Sequence, residues 1–178
     1  VKPEEVVQFW QLAGPLRWFA RSPAFDGAVS VRFGALLEEA RAGRRDEWAR
    51  SPGGALALVL VLDQFSRNIH RGSPLSFAAD EKALAVARLV VGKGWHQALP
   101  APLAAWFVMP FEHAEDRDAQ ERAVGLFAAM GLSELLYYAH VHRDVIRRFG
   151  RFPHRNPILG RTSTPAELAF LAGGGFAG

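Results

Sequence analysis

GALALVLVLDQFSRNIHRG, residues 54–72, decides how this chain is to be read. From Ala55 to Leu62 it is apolar on every side of a helix, the pattern of a central buried element rather than a surface one. Beyond Leu62 it turns polar. At helical spacing Asp63, Gln64, Arg67, Asn68 and Arg71 share a sector of roughly 140°, with Leu58, Leu62, Phe65 and Ile69 opposite. The expectation is one core helix with a dry half and a polar half.

The flanks read as further helices. Pro3 opens one that runs to about Ala13 and stops at Gly14-Pro15, and Trp18 and Phe19 follow in a connector. Ser22-Pro23 caps a second, with Phe25, Val29, Phe33, Leu36 and Leu37 as its apolar series, closed by Gly43. A polar connector then carries Trp48, expected to pack back on the core. After the central helix, Ser73-Pro74 predicts a helix running through Val91. The segment from Leu103 to Gly131 is helical by period, with Pro110 kinking or splitting it just before Glu112 and His113. Ser133 is read as the cap of a helix that ends at Gly150, with Leu135, Tyr138, Ala139, His142, Val145, Ile146 and Phe149 on one face. Two prolines exclude a regular helix from RFPHRNPILGRTS. Thr164 and Glu167 form a capping box for a last short helix bearing Leu168, Phe170 and Leu171, and the glycine-rich tail is expected to fray.

No strand pattern or internal repeat is present. The expectation is an all-α fold of seven to eight helices packed as antiparallel pairs in one domain over 1–178. The chain has no cysteine, which excludes disulfides and thiolate chemistry. Its start lacks the pattern of a secretory signal, so a cytoplasmic protein is expected. The apolar run from Ala55 to Leu62 is far short of the ~20 residues that span a bilayer. Net charge is only +3, with eighteen arginines against three lysines, so nucleic acid is not the expected partner. The arginine fork instead suits carboxylates and phosphates.

Three segments in this order, LDQFSRNIHRGSPLSFAAD (62–80), PFEHAEDRDAQ (110–120) and FGRFPHRNPILGRTSTPAE (149–167), resemble the bacterial domain of unknown function family 924. FW near residue 9, WF at 18 and FD at 25 fit it as well. The resemblance implies an all-α fold similar to tetratricopeptide-like helical domains, and no activity. Its polar positions correspond here to Asp63, Gln64, Arg67, Asn68, Arg71, His113, Glu115, Gln120, His142, Arg151, His154, Arg155, Asn156 and Arg161. Ser66, His70 and Ala114 depart from the family pattern, which has a proline, an apolar residue and a serine there.

These residues carry two readings. In the first, the three segments meet around one polar cleft that binds a small anionic ligand, as a hydrolase or lyase would. His113 or His142 is then the proton carrier and Asp63 or Glu115 its orienting carboxylate. Arg67, Arg71, Arg151 and Arg155 form the anion clamp, with Gln64, Asn68, His154, Asn156 and Arg161 completing the ligand contacts. No metal-ligand spacing is recognised and no cofactor is indicated. In the second, the protein is a non-catalytic helical scaffold for a protein partner, and the same residues are a structural network. Asp63 four residues before Arg67 already suits an ordinary helical ion pair.

Overall fold

A computed structural model describes Val1–Gly178 throughout and contains helices and no strand. Its contacts group into two compact units, Val1–Pro110 and Phe111–Gly178.

In the first unit, α1 (Pro3–Ala13) and the single turn α2 (Pro15–Trp18) lead to α3 (Pro23–Arg41). Proline opens each, where its missing N–H costs nothing, and the Ser22 side chain accepts from Phe25 N–H. The central helix α4 covers 52–69. It is α-helical over Pro52–Val59, widens to a π-turn over Leu60–Phe65, and is α-helical again over Ser66–Ile69. It packs against α1, α3 and α5 (Asp80–Gly92). Every side chain from Ala55 to Ser66 is buried, so this part of the helix is enclosed all round. Phe65 stacks on Phe33 at 4.7 Å, and Trp10 meets Trp106 edge to face at 5.0 Å. Rings in these geometries add about 0.5–1.5 kcal/mol per pair to their burial.

The expected polar half of α4 is corrected by this geometry. The π-turn rotates later side chains away from their straight-helix positions. Asp63 is fully buried, and Gln64 and Asn68 nearly so. The helix predicted from Pro74 also starts later. Ser73 and Pro74 open only a 3-10 turn (Pro74–Ser76), and α5 begins at Asp80. Trp48 packs inward as expected, on a 3-10 turn (Asp46–Arg50).

The short helix α6 (Ala101–Ala104) and a 3-10 turn precede α7 (Met109–His113), which carries the chain into the second unit. Pro110 sits in the first turn of α7, so the break falls at Val108, ahead of the proline. A second break follows His113, where Asp116 caps α8 (Arg117–Met130) by accepting from Ala119 N–H at 2.6 Å. Glu115 therefore lies in a connector, and the helical period read from Leu103 to Gly131 is interrupted a second time.

Helices α8 and α9 (Ser133–Phe149) form a hairpin through Gly131, whose φ of 68° is the left-handed turn that glycine permits. Ser133 is the first residue of α9 rather than its side-chain cap. Ala139, His142, Val145 and Ile146 are buried on one face, while Tyr138 is exposed. The loop after Gly150 turns once as a 3-10 segment (Pro153–Arg155) before α10 (Pro165–Ala172), which the Thr164–Glu167 capping box starts. Helix α10 buries Glu167 and leaves Leu168 exposed, the reverse of its apolar reading. The tail does not simply fray, because Phe176 packs on the His142 ring at 4.3 Å between centroids.

Gly54 is where α4 passes closest to other backbone. A Cβ there would sit 2.3 Å from the Trp48 carbonyl oxygen. Gly54→Ala should lower stability by about 2–3 kcal/mol, read from the urea midpoint.

Candidate functional site

Each unit gathers its own polar cluster. In the first, Arg67 donates through Nη1 and Nη2 to both oxygens of Asp80, at 2.9 and 3.0 Å. Its Nη1 also reaches the Asp63 carboxylate at 3.1 Å and the Asp63 carbonyl at 2.9 Å. Gln64 donates to Asp63 at 2.6 Å. Burial alone would depress the Arg67 pKa, but Asp63 and Asp80 outweigh it and hold the guanidinium charged. Asn68 and Arg71 both turn to Asp26 on α3, with Asn68 at 2.7 Å and Arg71 closing a two-bond fork at 2.7 and 2.9 Å. Burial works to raise the Asp26 pKa, and these two donors bring it below the usual range. The Ser66 hydroxyl donates towards the carbonyls of Leu75 and Ser76, tying the helix end to the turn that follows.

In the second unit Glu115 is the centre of the loop's fastening. Arg161 grips its carboxylate through Nη1 and Nη2 at 2.6 and 2.9 Å, and Phe152 N–H donates to it at 2.8 Å. Against the opposing effect of burial, these contacts and the charge of Arg155 depress its pKa. Arg161 also donates to Asn156 Oδ1 and the Phe152 carbonyl. Asn156, fully buried, passes the network on to Ser163 and Glu167. Arg151 forks onto Glu167 at 2.7 and 2.9 Å and donates to the Thr162 carbonyl.

A separate group of imidazoles lies beside this fastening. His142 Nδ1 is 2.8 Å from the Tyr138 carbonyl and 3.0 Å from Glu112 Oε1. The His113 ring lies 6.4 Å from that of His142, and the His113 carbonyl accepts from Arg155 Nη2 at 3.0 Å. Phe176 covers both His142 and His154, and the Arg155 guanidinium rests on Phe152. The other oxygen of Glu112, Oε2, is buried without a hydrogen-bond partner, as is His154 Nδ1. The His154 pKa is pushed down to about 4, first by burial, then by Arg155, His142 and Arg161 against the opposing charge of Glu115. No group of three or more His, Asp or Glu side chains converges in a way that could hold a metal ion.

Residues 6–175 match the model of a family described as bacterial protein of unknown function, DUF924. The chain belongs to this family. No curated protein matches it. Among solved structures it is similar to a protein of unknown function, ATU0120, from Agrobacterium tumefaciens. The two are 41% identical over 95% of this chain and 96% of that one, with a TM-score of 0.92. The DUF924 resemblance seen in the three motifs is thereby established, and with it the all-α fold.

Most of the residues expected to contact a ligand are held by this DUF924 chain's own acids, while Arg155, expected in the clamp, donates to the His113 carbonyl and rests on Phe152. Arg67, Arg71, Arg151 and Arg161 each grip a carboxylate, and Gln64, Asn68 and Asn156 complete those contacts. Of the carboxylates expected to orient a histidine, Glu115 serves Arg161 and Asp63 serves Arg67. The acid on His142 is Glu112, which the sequence reading placed beside His113 without a role. Asp26, Asp80 and Glu167 were missed as partners. Each had a usable signal, Asp26 in the FD pair at 25, Asp80 as the last residue of the 62–80 motif that also holds Arg67, and Glu167 in the capping box.

Two predictions test the fastening. Arg67→Ala leaves Asp63 and Asp80 without their cation and should cost about 3–5 kcal/mol in denaturant unfolding. Glu167 has its pKa depressed from 4.5 to about 2, by Arg151 first, against burial and with help from Thr164 N–H. A depressed carboxyl contributes stability that is complete above 4.5 and lost as the pH falls through about 2. Unfolding followed by circular dichroism over that interval should show this loss, and Glu167→Gln should flatten it.

Proposed function

We propose that this protein binds a small anion in its second unit and moves a proton on it, as a hydrolase or lyase does. The observation that carries the reading is the pair of oxygens around His142 Nδ1. The Tyr138 carbonyl can only accept, so Nδ1 carries the proton, and Nε2 is the acceptor of the neutral ring. Glu112 then fixes the ring's orientation and balances the charge that forms when Nε2 takes a proton. Such a base contributes about 10²–10⁴-fold to a rate. The anionic preference is supported by Arg155, whose guanidinium lies over Phe152 and is, after burial, the strongest influence on the His154 ring.

The scaffold reading is supported by a different feature. Leu12, Leu16 and Phe19 stand 63–91% exposed along α1, α2 and the residue after it, an apolar surface of the kind that meets a protein partner. On that reading, substitutions at His142 and Glu112 change stability alone.

Long-range 1H–15N NMR above pH 7 should find His142 protonated at Nδ1. A ring protonated only at Nε2 lacks the acceptor and would end the catalytic reading. In a panel of small phosphate and carboxylate esters and hydroxy acids, His142→Gln should lower kcat about 10²–10⁴-fold on any compound turned over by the wild type.

A further inference from the structure

A hollow of about 560 Å³ opens on the second unit, lined by Arg148, Phe149, Arg151, Thr164, Ala166 and Glu167. Its charges are unevenly satisfied. Glu167 is fully engaged, accepting from Arg151, Thr164 N–H and Asn156. Arg151 spends Nε and Nη2 on Glu167 and the Thr162 carbonyl, which leaves Nη1 available. Arg148 differs from the other arginines of α9. Arg143 pairs with Asp144 and Arg147 with Glu121, whereas the Arg148 guanidinium lies against rings, 4.8 Å from the centroid of Phe149 and 5.5 Å from that of Phe170. A guanidinium stacked on its face keeps its planar N–H edge free for an oxyanion. The hollow thus holds one cation balanced by Glu167 and one that is not, beside an apolar floor.

We propose that this hollow is an anion site for a small molecule carrying a phosphate or carboxylate on an apolar body. Arg148 and the Nη1 of Arg151 hold the oxyanion, and Phe149 lies under the body. The cavity is larger than a bare phosphate requires, which is why the ligand class includes an organic part. The inference is independent of the proton-transfer reading at His142.

The test is a 1H–15N titration of the full chain with phenyl phosphate, benzoate and inorganic phosphate. Perturbations confined to residues 148–151 and 164–167, with phenyl phosphate or benzoate tighter than inorganic phosphate, are expected. Arg148 is exposed, so Arg148→Ala should stay folded by circular dichroism and weaken the organic anion about tenfold or more. Arg148→Lys keeps the charge without the fork and should fall between the two. Unchanged affinity in Arg148→Ala, or no perturbation at tens of millimolar, overturns the site. Binding lost in His142→Gln but kept in Arg148→Ala also overturns it, and leaves the reading at His142 standing.

Discussion

A carboxylate removed from water has to be met by positive charge or by several hydrogen bonds, because its desolvation costs several kcal/mol. Each unit meets this constraint with the same device, an arginine fork closed on an acid far along the chain. Arg71 and Asp26 are 45 residues apart, and Arg161 and Glu115 are 46 apart. Arg67 with Asp80 and Arg151 with Glu167 close shorter loops. Removing one member of a largely buried pair such as Arg67 and Asp80 leaves the other's charge unmet away from water, so the forks help to give definite positions to the segments they join. The stretch from Arg151 to Thr164 shows the effect. It lacks a regular helix, yet Phe152 and Asn156 within it are fully buried.

This explains why the arginines look functional in the sequence and structural in three dimensions. A guanidinium that can fork onto a substrate phosphate forks equally well onto an internal carboxylate. The choice depends on whether an acid folds within reach, and that information lies elsewhere in the chain. By elimination, the groups that stand out are the less satisfied ones: the bare Oε2 of Glu112, the ring of His142 held by its Nδ1, and Arg148 with only rings beside it. Unmet polar groups are uncommon inside proteins, and active and binding sites are among the places where they occur.

Much of the fold was legible. The caps at Ser22 and Thr164, the stops at Gly14, Gly43 and Gly150 and the buried run of α4 are local signals, and the chain obeys them. The misreadings arose where tertiary packing overrode local preference. Ser73-Pro74 is a sound helix start that yields only a 3-10 turn, because the Ser66 and Ser76 hydroxyls pull that turn onto the end of α4. At Glu167 the apolar period of α10 pointed to Leu168 as the buried residue, but the Arg151 fork buries the acid instead. Of the site, the residue types and segments were legible, while the pairing of Glu112 rather than Glu115 with His142 was not. That pairing depends on the break between α7 and α8, which the continuous helical period conceals.

The wide turn at Leu60–Phe65 has one more consequence. Counted along the chain, it stores an extra residue within a helix, since the same axial length in regular α form would use fewer. Deleting one residue there would regularise the coil and leave everything beyond it facing the same way, whereas deleting one from a regular turn of the helix would swing it by about 100° around the axis. In that second case Asn68 and Arg71 would face away from the acid on α3 that they now hold. The aim of this polar end is thus set by how many residues precede it as much as by which residues they are.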